Sequence, residues 1–225
     1  THRALASALT KEVGCEVWLP EYPLAPESPY PDALLALDSL WGDFENEFDT
    51  KFVLADSAGG NLAVALLQRL QPSQRKKLKG LILLSPWIDL RPGSMSSRSN
   101  SNSWSPFDRL DMLEFATHYL AGVDPNEASV SPILGSFSGF PTTFIECSES
   151  EYLFPDSCEL RDALESNEVD VTWRLEGNAL HAWQLFPDIL PEAKRSVRAI
   201  SAFIASKTAL STTPQRPDEG YEAPG

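Results

Sequence analysis

Basic residues, histidines and cysteines are all scarce in this 225-residue chain, and each scarcity excludes something. Eighteen Lys and Arg stand against 32 Asp and Glu, a formal net charge of −14. Such a surface repels phosphate backbones and anionic headgroups, so neither nucleic acid nor an acidic membrane surface is an expected partner. No apolar run reaches the roughly 20 residues a spanning helix requires, and no integral membrane segment is expected. The three cysteines, Cys15, Cys147 and Cys158, are odd in number and form no Cys-x-x-Cys pair. They read as buried free thiols, which suits a reducing, cytoplasmic compartment. The lack of Asn-x-Ser/Thr sequons points the same way. The chain opens THRALASALT, with neither a basic-then-apolar leader nor an initiator Met. Its true N-terminus is therefore expected upstream.

What is present is a globular composition, 42% hydrophobic and 22% charged, with enough length for one α/β domain. Helices are predicted over 1–13, 32–44, 58–70, 107–120, 156–166 and 192–205 from apolar residues at helical spacing. Short apolar runs predict strands at Cys15–Leu19, Lys51–Ala55, Gly80–Leu84, Thr142–Cys147 and Val169–Leu175. Strands alternating with helices imply a mostly parallel sheet covered on both faces. The Pro-rich segment Glu21–Pro31 must be a loop. Seven of the twelve residues from Ser94 to Ser105 are Ser. Arg91–Ser105 is therefore predicted to be a mobile loop. With the helix after it, a lid-like insertion over about 91–122 is expected. One domain over 1–210 and a disordered tail over 211–225 complete the expected organisation.

The chemistry concentrates at FVLADSAGGNLA, residues 52–63. A strand ends, a turn of small residues carries Ser57, and a helix begins, as a nucleophile elbow requires. The residues two places either side of the nucleophile, Ala55 and Gly59, must be small. Ala55 replaces the more usual Gly. At the helix start, the N–H of Ala58 is the natural donor to an oxyanion. The bland alternative is an ordinary helix-capping serine. A serine nucleophile needs a base, and there are three histidines, His2, His118 and His181. His181 follows the last predicted strand, at the sheet edge where sites form, and is the candidate base. The acid that orients it should follow the strand Thr142–Cys147. Glu149, Glu151 and Asp156 are available there. Glu151 lies just past the strand, Asp156 reads as a helix N-cap, and Glu149 is the runner-up. The chain order Ser57, Glu151, His181 is that of α/β-hydrolases. Asp56 and Trp87 are further candidates near the substrate pocket. Asp56 is read equally as a structural hydrogen-bonder, and Trp87 as packing. Phe107, Leu110, Met112, Leu113 and Phe115 offer an apolar lid face that a plain amphipathic helix would also explain. No metal cluster or phosphate loop stands out, so no metal or cofactor is expected.

Several of these segments together resemble one family. EYPLAPESPYPDAL (21–34) resembles the Y-x-L-A-P-E-x-x-x-P segment of the hormone-sensitive-lipase-like esterases, the α/β-hydrolase fold-3 family. ADSAGGNLA resembles that family's GDSAGGNLA, and SPWIDL, the stretch through ECSESEYLFPDS, and the His181 loop continue the likeness in order to about residue 205. The likeness is greatest to the family's fungal branch. It implies an α/β-hydrolase fold and a serine carboxylesterase for small, fairly apolar esters, acetyl esters of secondary metabolites or sterols among them. In the family the acid stands in a D/E-x-L pattern, which fits Glu151–Tyr152–Leu153.

The family also carries a His-Gly-Gly-Gly loop whose N–H groups supply most of the oxyanion hole, and these residues contain none. THRALASAL resembles the helix that follows that loop. The strand before it sits, in the family, between those matching Cys15–Leu19 and Lys51–Ala55. The N-terminal strands are therefore expected to be missing, leaving a gap or an unnatural pairing. Each lost oxyanion donor costs about 10²–10³ in turnover. The alternative to an esterase is thus a catalytically impaired fragment or a non-catalytic, ligand-binding hydrolase-fold protein.

Overall fold

A computed structural model describes residues 2–97 and 107–209. Helix α1 (His2–Val13) ends where Gly14 takes a positive φ of 72° and its N–H returns to the Thr10 carbonyl at 2.9 Å. Helix α2 (Asp32–Glu47) leads to strand β1 (Lys51–Asp56), helix α3 (Ala58–Arg69), a single turn α4 (Pro72–Arg75) and strand β2 (Leu78–Leu84). Two helices follow, α5 (Pro92–Ser97) and α6 (Arg109–Leu120). The chain then alternates again: β3 (Thr143–Ser148), α7 (Phe154–Ser166), β4 (Val171–Glu176) and a long closing helix α8 (Pro191–Ala209). The strands form a four-stranded sheet in the order β1-β2-β3-β4, and every pairing is parallel.

Both faces of the central strands are apolar, for the period-2 reason that successive side chains point to opposite faces. Leu81, Leu83 and Ile145 join the core under α2, α3 and α7, beside Leu34, Trp41, Leu67 and Leu160. Their alternates Ile82, Leu84 and Phe144 join the opposite core, with Leu5 and Leu9 of α1 and Val197, Ile200 and Phe203 of α8. Burying one such side chain contributes roughly 1.5–3 kcal/mol. This two-sided packing makes a rigid platform, with all four carboxyl ends on one edge. A third cluster of Trp87, Leu90, Met112, Ala116, Leu120 and Leu153 seats α6 beside that edge.

The structure departs from the sequence expectations in five places. Cys15–Leu19 forms no strand. It lines a cavity of about 600 Å³ together with Phe52 and Leu54 of β1 and Ile82 of β2, with Trp18 packed on Phe44 and Phe48. A strand is defined by its ladder, and these residues have no ladder partner among the described residues. Within the expected loop Arg91–Ser105, Pro92–Ser97 is helical, Pro serving at the helix start. Residues 98–105, like the expected tail 211–225, lie outside the described residues. Helix α6 begins at Arg109, because Asp108 and Asp111 cap it reciprocally. Leu110 and Phe115 of the expected lid face are exposed, whereas Met112 is buried. Finally, Asp156 is no N-cap: α7 begins at Phe154, and the Asp156 carboxylate is buried, accepting the N–H groups of Ile88 (2.9 Å) and Asp89 (3.2 Å). Two buried donors at the end of β2 need an acceptor, and this demand outweighs the local capping preference.

Candidate active site

Ser57 stands between β1 and α3 with φ 51° and ψ −125°, a conformation that costs a non-glycine residue about 1–3 kcal/mol. Backbone bonds on both sides hold it there. Its N–H donates to the Leu84 carbonyl at 3.0 Å, and its own carbonyl accepts from Gly60 N–H and Trp87 N–H, each at 2.9 Å. The close approach that demands glycine is at Gly60, where a Cβ would meet the Pro86 Cβ at 2.7 Å. At Gly59 a Cβ would sit 3.8 Å from the Ala55 Cβ, an ordinary contact. The tight squeeze is thus one residue later than the elbow pattern suggests, between helix α3 and the β2–α5 connection. The methyl of Ala55 is accommodated.

The Ser57 hydroxyl makes no helix-capping bond. Its Oγ lies 2.9 Å from Nε2 of His181, and Nδ1 of the same ring lies 2.7 Å from Oε2 of Glu151. The His181 and Glu151 side chains are both almost wholly buried. The second carboxylate oxygen, Oε1, accepts the Ser148 N–H at 2.9 Å. Glu149 is exposed and its N–H joins the β4 end through the Glu176 carbonyl, so Glu151 and not Glu149 meets the imidazole. The ring of Phe107 stands edge-on to His181 at 5.8 Å. Near Glu151, burial, reinforced by the Glu151 charge, pushes the Cys147 thiol well above its ordinary range, which leaves it inert as a nucleophile.

The His181 loop is buttressed from α8 and β3. The Trp183 indole N–H donates to Ser196 Oγ at 3.1 Å, and Gln184 Nε2 donates to the buried Glu146 at 3.2 Å. Glu146 also pairs with Arg174 Nε at 3.1 Å. None of these five residues carried a sequence signal. They are ordinary residue types whose meeting depends on the sheet register.

Ala58 heads α3, a position whose N–H has no acceptor within the helix itself. It also lines a cavity of about 400 Å³ with Asn61, Trp87, Leu90, Phe115 and Tyr119. Trp87 is fixed there by its indole N–H, which donates to the Asp89 carbonyl at 3.0 Å. Burial, and the neighbouring Tyr30 and Tyr22, push the Tyr119 hydroxyl above the usual phenol range, so that wall stays neutral. Asp56 turns the other way. It pairs with His2 Nε2 at 2.9 Å and lines the 600 Å³ cavity beside β1. His118, the third histidine, lines the smaller cavity. Among the described residues no three His, Cys, Asp or Glu gather as metal ligands, and no helix is long and apolar enough to cross a membrane.

Comparison with known proteins gives this geometry a family. The family model described as alpha/beta hydrolase fold matches residues 1–185. An esterase of Acinetobacter venetianus is 33% identical over 210 residues, 92% of this chain and 69% of that protein. An acetyl-hydrolase of Streptomyces hygroscopicus is 32% identical over 213 residues, 92% of this chain and 71% of its own length. The crystal structure of an esterase from the bacterial hormone-sensitive lipase family superposes with a TM-score of 0.82 at 28% identity, covering 92% of this chain and 71% of that one. The chain therefore belongs to the α/β-hydrolase fold-3 family of hormone-sensitive-lipase-like esterases, and it is a carboxylic ester hydrolase.

Proposed function

We propose that Ser57, His181 and Glu151 are the catalytic triad of this hydrolase, and that it cleaves small, apolar esters through an acyl-enzyme. The observation that carries the reading is the unbroken line from Ser57 Oγ to His181 Nε2 (2.9 Å) and from His181 Nδ1 to Glu151 Oε2 (2.7 Å). Ser57 Oγ attacks the ester carbonyl while His181 Nε2 takes its proton. Glu151 accepts from Nδ1–H, which fixes the tautomer and stabilises the imidazolium. The Ala58 N–H, at the positive end of α3, faces the developing oxyanion. His181 returns the proton to the leaving alkoxide, and a water activated by the same base releases the acid.

The apolar cavity beside Ala58 suits a short acyl or alcohol group, and Trp87 forms its wall. An acetyl or similarly short ester is the substrate class this supports. Three free cysteines suit action in a reducing, cytoplasmic compartment. The test is hydrolysis of p-nitrophenyl acetate by the purified chain beside its Ser57→Ala variant. Turnover that vanishes in the variant is expected; equal rates overturn the assignment.

A further inference from the structure

Glu151 and His181 come from two separate loops, and catalysis requires their side chains to stay within hydrogen-bond distance. Ser148 ends β3 and is fully buried; Ser150, two residues on, is also buried. Ser148 Oγ accepts the Ala179 N–H at 3.1 Å and the Ser150 N–H at 3.3 Å. It lies 2.9 Å from Ser150 Oγ, and Ser150 Oγ donates to the Ala179 carbonyl at 3.4 Å. A hydroxyl has one proton and two acceptor sites. With both Ser148 acceptor sites filled, its proton must go to Ser150 Oγ, whose own proton is left for Ala179. The bonds therefore close a one-way ring: Ala179 N–H to Ser148, Ser148 to Ser150, Ser150 to the Ala179 carbonyl.

Ala179 is two residues before His181. The Ser148 N–H is meanwhile the donor to Glu151 Oε1. One buried serine thus holds the carboxylate with its backbone and the histidine loop with its side chain. The backbone bond from Glu149 N–H to the Glu176 carbonyl also joins the two segments, but any residue could supply it. The ring is what requires a side-chain hydroxyl at both places.

We infer that Ser148 and Ser150 are positioning residues that set the distance between Glu151 and His181. This rests on the triad reading above. Without the ring, the 177–182 loop loses its side-chain tie to β3, and the imidazole drifts from the line between Glu151 and Ser57. Misplacement by about 1 Å costs on the order of 10²-fold in rate. Substrate binding, which involves the cavity at Ala58, is untouched.

The test uses the full chain and its Ser148→Ala, Ser150→Ala and Ser150→Thr variants, with circular dichroism to verify folding. Two rates are read: kcat and KM for p-nitrophenyl acetate, and phosphonylation of Ser57 by a fluorophosphonate. Each Ala variant is expected to lose about 10- to 100-fold in kcat and in phosphonylation alike, with KM within about twofold. Ser150→Thr, which keeps the hydroxyl, is expected to recover most of both rates. Folded Ala variants that match the parent in both rates overturn the inference and leave the triad standing. Rate loss that follows only the loss of folded protein overturns it too. A parent whose Ser57 does not react overturns the triad reading and this inference together.

Discussion

The two halves of the site are held in place by different means. Ser57, the proposed nucleophile, rests on backbone alone: a strained φ, three main-chain hydrogen bonds, and a helix pressed against Pro86 at Gly60. Glu151 and His181, the proposed acid and base, rest on polar contacts that cross between segments, through Ser148, Gln184 and Trp183. The first half tolerates no added bulk at Gly60 but is indifferent to polarity. The second is open to loss through any single polar atom. Substitutions that separate the two modes test the contrast directly.

The largest effects should come from the reacting groups. Glu151→Gln is expected to lower kcat by about 10⁴-fold with KM little changed, because the imidazole loses its orienting charge and tautomer. Glu149→Gln, on the exposed neighbour, should leave kcat within about twofold of the parent. Steady-state kinetics on the pair would break the assignment if the order were reversed. Next come changes that attack the platform and leave the chemistry. Leu83→Ala removes a fully buried side chain from the central strand and should cost about 2–5 kcal/mol in urea unfolding, with kcat preserved below the transition. Gly60→Ala should cost about 1–3 kcal/mol through overpacking against Pro86, and kcat should fall as well because the elbow must shift.

The smallest effect concerns acid stability. Burial raises the Asp89 pKa, but hydrogen bonds from the Arg91 side chain and backbone outweigh it and hold the carboxyl below its usual range. A carboxyl with a depressed folded-state pKa stabilises above its unfolded pKa, near 3.9, and that stability is lost as pH falls through the folded value. The melting temperatures of parent and Asp89→Asn should therefore differ most at neutral pH and converge in acid. A gap that stays constant with pH would assign Asp89 a purely steric role.

Most of the platform was legible because burial on both faces writes continuous apolar runs, such as GLILL, that few other contexts produce. Ser57 was legible because an elbow constrains several neighbours at once. His181 was legible because only three histidines exist and one follows the last strand. The failures share one cause. Cys15–Leu19 has a strand's composition, yet strand formation depends on a partner's edge. Asp156 has a cap's identity and position, yet its carboxylate answers to Ile88 and Asp89, 68 and 67 residues away. Gly60 matters more sterically than Gly59 because of Pro86, which no local pattern reveals. Ser148 and Ser150 read as loop serines until β3 and β4 are set side by side.

The surplus of acidic residues bears on how copies of this chain meet in solution. Like charge makes copies repel one another, since each carries a formal −14. That repulsion reaches only about 10 Å at 0.1 M salt and about 3 Å at 1 M. Ionic strength therefore sets how strongly copies repel one another: most in dilute buffer, and less as salt shortens the range of the field.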